Sequence, residues 1–360
     1  MTIKDIAQKA GVSVATVSRV INNYKWVSPE LRSRVLAIIE QENYHPSYNA
    51  SVMAKGKSNV IIIIVPEIAS PFFAQFTSTA TKLLKNAGYA TVLVQTDNDA
   101  SEEESFFTGP FMDMADGIIS VTDSMEDSDI IRLIKPLRKK NKPVLFVDRY
   151  LPTYIADSIA HDTKTAILNM MEKLFLYGHY RIGIIIGSKG QSIVKDKING
   201  YKSALTRWGY PIDESLIRYG DWTIKTGRTE TEKLLSLEKP VTAIIAGNDF
   251  ICEGAADALH QMGKVCGRDI SLVGFEESAS DRRIFERLGI STIKLDSEKM
   301  AIDACDYILK KLSSSEDTSD TEYRNKEYVV SFIDRGSVVK LQSRHISKNK
   351  LHKSKEGDFL

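Results

Sequence analysis

A chain of 360 residues with 42% hydrophobic content is long enough for two or three domains and a sizeable core. No apolar run of about 18 residues is present, which argues against a membrane span. Three widely spaced cysteines, with neither a CxxC pair nor a metal-binding spacing, argue against a disulfide framework and a metal site. The net charge of +1 is unevenly placed: residues 1–58 hold eight Lys/Arg against four Asp/Glu, residues 340–360 hold six against two, and the rest is acidic.

The first elements are helical. Ile3, Ile6, Ala7 and Ala10 fall at i, i+3, i+4 and i+7, one apolar stripe. Gly11 supplies a tight turn, and Ser13 is an N-cap for a second helix whose inward face is Val17, Val20 and Ile21. Val14, Ala15, Thr16, Ser18, Arg19 and Asn22 are left for the other side and the ends, and Asn22-Asn23 is a helix stop. A third helix opens at Ser28-Pro29-Glu30 and runs to about Glu42. Two short helices joined by a tight turn, the second with a polar, basic face, are the layout of a helix-turn-helix, whose second helix enters the DNA major groove. A basic head on an acidic body is also an electrostatic footprint for phosphate. About eight phosphate contacts in a dimer would give a log–log salt slope of about −7. The alternative is a helical hairpin belonging to a larger core.

From residue 60 strand and helix alternate. The strand Val60–Val65 precedes a helix from about Phe72 to Asn86, and Ala90–Gln95 precedes one from about Glu102 to Met114. Gly117–Val121 precedes a helix from about Asp127 to Lys140, and Val144–Val147 closes the first set. A second set is expected from near Ser158–Ala160, through Ile182–Ile186, Leu216–Tyr219, Thr242–Ala246 and Ile270–Val273. Val/Ile runs each followed by an amphipathic helix predict parallel strands buried on both faces, and hence two doubly wound lobes. Ligands of such sheets sit beyond the carboxyl ends of the strands.

Those strand ends carry Pro66–Phe73 (with Ser70, Phe72 and Phe73), Asp148-Arg149, Gly220-Asp221-Trp222, Gly247-Asn248-Asp249 and Gly274-Phe275-Glu276-Glu277. A ring packs on the C–H face of a sugar while Asp and Asn hold its hydroxyls, so together these residues suit a polyhydroxylated ligand. Each also has a plainer reading: Phe72 and Phe73 as core at a helix start, Trp222 as the cap of a lobe, Asn248 as a turn residue, Asp249 as an N-cap. Gly56-Lys57-Ser58 looks like the end of a phosphate loop, but Ser51 stands where glycine is needed, and a strand follows instead of a helix. No GxGxxG, HExxH or GxSxG occurs, so neither an enzyme nor a cofactor is expected.

Taken together, these residues resemble the lactose/galactose-repressor family of bacterial transcription regulators. The resemblance rests on Thr2-Ile3-Lys4-Asp5-Ile6-Ala7 and Gly11-Val12-Ser13-Val14-Ala15-Thr16-Val17-Ser18-Arg19-Val20-Ile21-Asn22-Asn23. It continues in Tyr44-His45-Pro46, in Val65-Pro66 with Ser70-Pro71-Phe72-Phe73-Ala74, in Gly247-Asn248-Asp249, and in Ser271-Leu272-Val273-Gly274-Phe275. It covers about residues 2–336. It implies an all-α helix-turn-helix head and a two-lobed α/β body like a periplasmic binding protein, with parallel doubly wound sheets.

The resemblance also implies residue roles. Val14 and Ala15 face bases and Arg19 reaches a base edge, while Thr16, Ser18 and Asn22 set register on phosphates. Ser13, Tyr44 and Ala50 complete the DNA-facing set. Ser47–Lys55 is a hinge helix, with Met53 as the minor-groove wedge where the family usually has leucine. Paired hinge helices imply a homodimer on a pseudo-palindromic site. Phe73, Asp148, Lys197, Trp222, Asn248 and Glu276 line the effector cleft, joined by Ser70, Phe72 and Asp249 from the strand-end reading. Lys197 stands where the family mostly places an arginine able to fork onto the ligand. Glu276-Glu277 replaces Asp-Asp, Asp162-Thr163 stands where Asp-Asn is common, and Glu286–Thr292 lacks the usual proline. Leu341, Leu351 and Leu360 form no heptad, so a dimer is expected and not a tetramer.

The expected domains are a head at 1–46, a hinge at 47–57 and a body at 58–339, followed by a disordered basic tail at 340–360. Within the body the N-lobe is expected at about 58–160 plus 291–322 and the C-lobe at about 161–290 plus 323–339. The function expected is an effector-controlled DNA-binding repressor, cytoplasmic because the N-terminus is a folded motif without a signal peptide. The effector is expected to be a small carbohydrate, with a nucleobase or nucleoside as the runner-up. A sugar-binding module without DNA function and a nucleotide-using sugar kinase are the competing classes.

Overall fold

The computed structural model describes residues 1–44, 57–121, 124–152, 154–277, 282–313 and 325–341, without the side chains of 282–284. Ala50 and Met53, most of the hinge and nearly all of the tail lie outside these residues. The chain divides into Met1–Asn59 and Val60–Leu360.

The first unit contains α1 (Ile3–Ala10), α2 (Val14–Ile21) and α3 (Pro29–Gln41). Local chemistry sets each boundary. Thr2 and Asp5 form a capping box at the start of α1, each side chain accepting the other's backbone N–H. Gly11 ends α1 at φ 64°, a left-handed conformation that a Cβ disfavours. Ser13 and Ser28 cap α2 and α3, and Pro29 occupies the first helical position. Ile6, Val17, Val20 and Val35 are buried where the three helices meet.

The second unit holds two six-stranded sheets. The first consists of β1 (Val60–Val65), β2 (Ala90–Gln95), β3 (Gly117–Ser120), β4 (Val144–Val147), β5 (Asp157–His161) and a late strand, Lys326–Tyr328. Its order places the late strand beside β5, then β4, β3, β1 and β2, and every pairing is parallel. The second sheet consists of β6 (Ile182–Ile186), β7 (Ile217–Tyr219), β8 (Ala243–Ala246), β9 (Ser271–Glu276), β10 (Ser291–Lys294) and a last strand, Ser331–Ile333. All its pairings are parallel except that of β10 with the last strand. The two late strands are β11 (Lys326–Tyr328) and β12 (Ser331–Ile333). Ile61 to Val65 are all buried, as double-sided cover of a parallel sheet demands. Each such isoleucine contributes about 1.5–3 kcal/mol of burial.

Helices cover both sheets. On the first lobe lie α4 (Pro71–Asn86), α5 (Ala100–Thr108), α6 (Phe111–Met114) and α7 (Asp127–Lys139). On the second lie α8 (Thr163–Leu176), α9 (Ser192–Arg207), α10 (Ile224–Leu235), α11 (Asp249–Gln261) and α12 (Arg282–Leu288). The last helix, α13 (Ser297–Ser313), returns to pack on α4, β3 and β4.

Four expectations are corrected. The single helix to Met114 is two, because Gly109 is extended and Pro110 cannot donate to a continuing ladder. The second set of strands does not begin near Ser158: β5 pairs with β4 in the first sheet, and the second starts at β6. Residues 291–294, expected in the N-lobe, pair with β9 of the second sheet. Residues 326–328, expected in the C-lobe, pair with β5 of the first. The chain therefore passes between lobes three times, after β5, between β10 and α13, and between β11 and β12, at the carboxyl ends of β5, β10 and β11.

Candidate functional site

The head presents one helix face. On α2, Val17 and Val20 point into the core, while Val14, Ala15, Arg19 and Asn22 are exposed and Thr16 and Ser18 half-buried. Ser13 Oγ accepts the Thr16 N–H at 3.2 Å and meets the Thr16 hydroxyl at 2.9 Å. Asn22 Nδ2 donates to the Ser18 carbonyl at 2.8 Å, folding that side chain back on the helix. Tyr44 does not join this face: it is 8% exposed and packs in the core of the head, because α3 ends by turning its ring inward. Arg32 escaped the sequence reading. From α3 it donates to Asn23 Oδ1 at 2.7 Å and to the Tyr24 carbonyl, fixing the loop after α2.

The body holds a cleft of about 620 Å³ at the carboxyl ends of its strands. Ser70, Phe73, Asp148, Lys197, Trp222, Asn248 and Glu276 all line it. Phe72 and Asp249 do not. Phe72 is 2% exposed and meets Phe73 edge-on, so the start of α4 sends one ring to the core and one to the cleft. Asp249 is buried and accepts the Glu277 N–H at 3.0 Å, tying α11 to the end of β9.

Trp222 is held from three sides. Its Nε1 donates to Gln191 Oε1 at 2.9 Å. Its ring lies over Gly187 and Gly247, where a Cβ would come within 2.2 Å and 3.0 Å of ring carbons. Glycine at the ends of β6 and β8 is thus what admits the indole. Asn248 caps α11 through Oδ1, which accepts the Ile251 N–H at 2.8 Å, and its Nδ2 reaches the Trp222 carbonyl at 3.4 Å. Gln191 was missed because no residue at the end of β6 was considered, although the strand-end rule points there.

The cleft is rich in charge. Lys197 is 2% exposed, donates from Nζ to the Gly247 carbonyl at 2.8 Å, and stands 4.0 Å above the Phe275 ring. Arg149 donates to the Met125 carbonyl at 2.6 Å and to Asp127 at 2.7 Å. Asp221 accepts from the Thr223 and Thr226 hydroxyls, and these bonds hold its carboxyl below the ordinary range. Glu276 sits at φ 88° at the end of β9. Burial of its carboxyl, then the Asp249 charge, push its pKa well up, against Lys197 and with a further push from Asp148. Asp148, also left-handed at φ 60°, has a buried Oδ1 without a hydrogen-bond partner. Among the described residues no cluster of His, Cys, Asp and Glu is arranged to hold a metal ion.

Comparison with known proteins agrees with this geometry. Residues 2–47 match the family described as bacterial regulatory proteins, lacI family. Residues 58–330 match the periplasmic binding proteins and sugar binding domain of the LacI family. The HTH-type transcriptional regulator DegA of Bacillus subtilis (strain 168) is 30% identical over 277 residues, covering 77% of this chain and 82% of DegA. The ribose operon repressor of Halalkalibacterium halodurans is 30% identical over 275 residues, covering 76% of this chain and 80% of that protein. Among solved structures, the lac repressor dimer bound to operator and the anti-inducer ONPF superposes with a TM-score of 0.80 at 24% identity, covering 94% of this chain and 99% of that one.

Proposed function

The chain belongs to the lacI family of bacterial regulatory proteins, which are DNA-binding transcriptional regulators and not enzymes, and from that premise we propose that it is a repressor whose operator affinity is set by a small carbohydrate in the cleft. It acts in the cytoplasm as a homodimer on a pseudo-palindromic operator. Val14, Ala15 and Arg19 read bases, while Thr16, Ser18 and Asn22 fix register on phosphates. Ligand binding between the lobes shifts their relative position, and with it the spacing of the paired heads.

The observation that carries the effector reading is Trp222, pinned by Gln191 and two glycines so that its ring is presented to a cleft lined by Asp148, Asp221 and Asn248. A fixed aromatic face beside carboxylates and amides matches the alternating C–H and hydroxyl surfaces of a sugar ring. The ribose operon repressor among the relatives supports the same class. Among the described residues no helix is long and apolar enough to cross a membrane.

The test is fluorescence anisotropy of a labelled palindromic duplex, titrated with protein and then with neutral mono- and disaccharides. Salt-sensitive binding that one sugar alters, and that Arg19→Ala abolishes, is the expected result. Binding altered by a nucleoside and by no sugar would replace the carbohydrate reading. Unchanged affinity in Arg19→Ala would remove α2 from the interface.

A further inference from the structure

The cleft has an unbalanced electrostatic interior. Among the described residues its walls carry five acidic side chains, Glu67, Asp97, Asp148, Asp221 and Glu276, against Arg149, Lys197 and Lys225. The cations are placed so that they do little for a bound anion. Arg149 is 7% exposed and held by Asp127 and the Met125 carbonyl. Lys197 is aimed at the Gly247 carbonyl and stands above the Phe275 and Trp222 rings, at 4.0 and 5.1 Å. Lys225 is exposed on the first turn of α10.

The acids are placed differently. Asp148 sits with its side chain 15% exposed and Oδ1 without a hydrogen bond, 3.8 Å from His161 Nδ1. His161 Nε2 accepts the Asp296 N–H, so the neutral ring provides no compensating full charge. Asp148 and Asp249 both act on Glu276, whose carboxyl burial already disfavours a second negative charge there. Carboxylates crowded in this way repel further negative charge and favour hydrogen-bond donors.

We infer that the cleft selects an uncharged or amine-bearing polyhydroxy ligand and rejects acid sugars and sugar phosphates, with Asp148 as the residue that enforces the discrimination. This rests on the carbohydrate reading. Lysine in place of a forked arginine at position 197 fits it: no bidentate cation reaches for ligand oxygens, and acceptors dominate the recognition surface. A phosphate or carboxylate entering beside Asp148 meets like charge in a partly desolvated site, which costs several-fold to hundredfold in affinity.

Two measurements on the full chain test this. The first needs no ligand. Asp148→Asn keeps shape and tolerates the left-handed backbone, and it removes one of the acids crowded in the cleft, so the melting temperature should rise by about 2 °C or more. Asp127→Asn, which breaks the pair with Arg149, should lower it. A fall in Asp148→Asn would overturn the inference.

The second measurement is thermal stabilisation by ribose, glucose and galactose, each as the neutral sugar, the amino sugar, the uronate or aldonate, and the terminal phosphate. Stabilisation by a neutral or amino form, with the acid and phosphate at least about tenfold weaker, is expected. Stabilisation by an anionic form that disappears in Lys197→Met would refute the inference. If no probe shifts the transition, the carbohydrate reading fails by itself, and the sign of the Asp148→Asn change decides the charge preference alone.

Discussion

His161 Nδ1 lies 3.8 Å from Asp148 Oδ1, while Nε2 on the other edge of the ring accepts the Asp296 N–H at 3.1 Å. A backbone N–H only donates, so Nε2 is the acceptor and the neutral ring carries its proton on Nδ1, facing the cleft carboxylate. His161 ends β5 where the chain first crosses between lobes, and Asp296 lies on the passage from β10 to α13. Tyr328, at the end of β11, packs against the imidazole with ring centroids 5.4 Å apart. One buried imidazole therefore touches all three interlobe passages and a residue of the cleft.

Replacing it tests that arrangement. His161→Phe preserves a ring but leaves the Asp296 N–H without its acceptor, which costs about 1–3 kcal/mol by chemical denaturation. His161→Gln offers an amide oxygen in place of Nε2 and should recover part of the loss. Equal stability of all three proteins would show that the histidine does not fasten the passages.

Trp222 gives a second prediction. At Gly187 a Cβ would lie 2.2 Å from Trp222 Cε2, so Gly187→Ala must displace the indole. Overpacking of this kind costs about 1–3 kcal/mol, and loss of the fixed ring should abolish the effector response. Trp222→Ala should abolish the response as well, with operator affinity retained in its absence. A Gly187→Ala protein with an unchanged Trp222 emission spectrum and an intact response would contradict the packing.

The elements that the sequence made readable are those set locally. Thr2, Gly11, Ser13 and Pro29 mark the boundaries in the head because caps, turns and the helical period act within a few residues. The Val/Ile runs mark β1, β3, β6 and β8 because both faces are covered, whereas the edge strand β2, expected to be buried in the same way, is largely exposed. What stayed hidden is decided at long range. Nothing within Ser291–Lys294 or Lys326–Tyr328 tells which sheet each joins, since the three passages exchange them. Adjacent phenylalanines, Phe72 and Phe73, differ in fate only through the rotation of α4 about its axis. Gln191 follows the end of β6, where a ligand site is expected, but its role as an acceptor emerges only from the indole that donates to it.

Asp303 on α13 accepts from Lys299 Nζ at 2.7 Å, from the Tyr328 hydroxyl at 2.6 Å and from Lys326. Burial pushes its pKa up, but these bonds outweigh it and hold the carboxyl at about 2, below its ordinary 3.8. A depressed carboxylate contributes stability that is complete above the ordinary value and lost as pH falls through the folded one. Asp303→Asn should therefore cost roughly 2 kcal/mol at neutral pH. It should also flatten the acid limb of a denaturation series between about pH 4 and 2. An unchanged acid limb would rule out this cluster as the anchor of β11.

His179 acts on the same acid side of the pH profile, at milder pH. Its Nε2 meets the Val339 carbonyl at 2.8 Å and the Ser271 hydroxyl at 3.1 Å, and its Nδ1 meets the Thr242 hydroxyl at 2.9 Å. The ring thus fastens the segment after β12 to the flank of the second sheet. Burial lowers its basicity below the ordinary 6.5, opposed only by the Val339 carbonyl. The unfolded chain then binds a proton more readily than the folded one, so this contribution is complete above 6.5 and is lost as pH falls through the lower folded value. Glu276 acts the other way, since its raised pKa favours the folded state as pH falls. The informative quantity is therefore the difference between the parent and His179→Gln in urea midpoints from about pH 5 to about pH 8. The parent's advantage should be constant at the alkaline end and shrink toward the acid end. An advantage that grew on acidification would mean that the imidazole is charged in the folded protein.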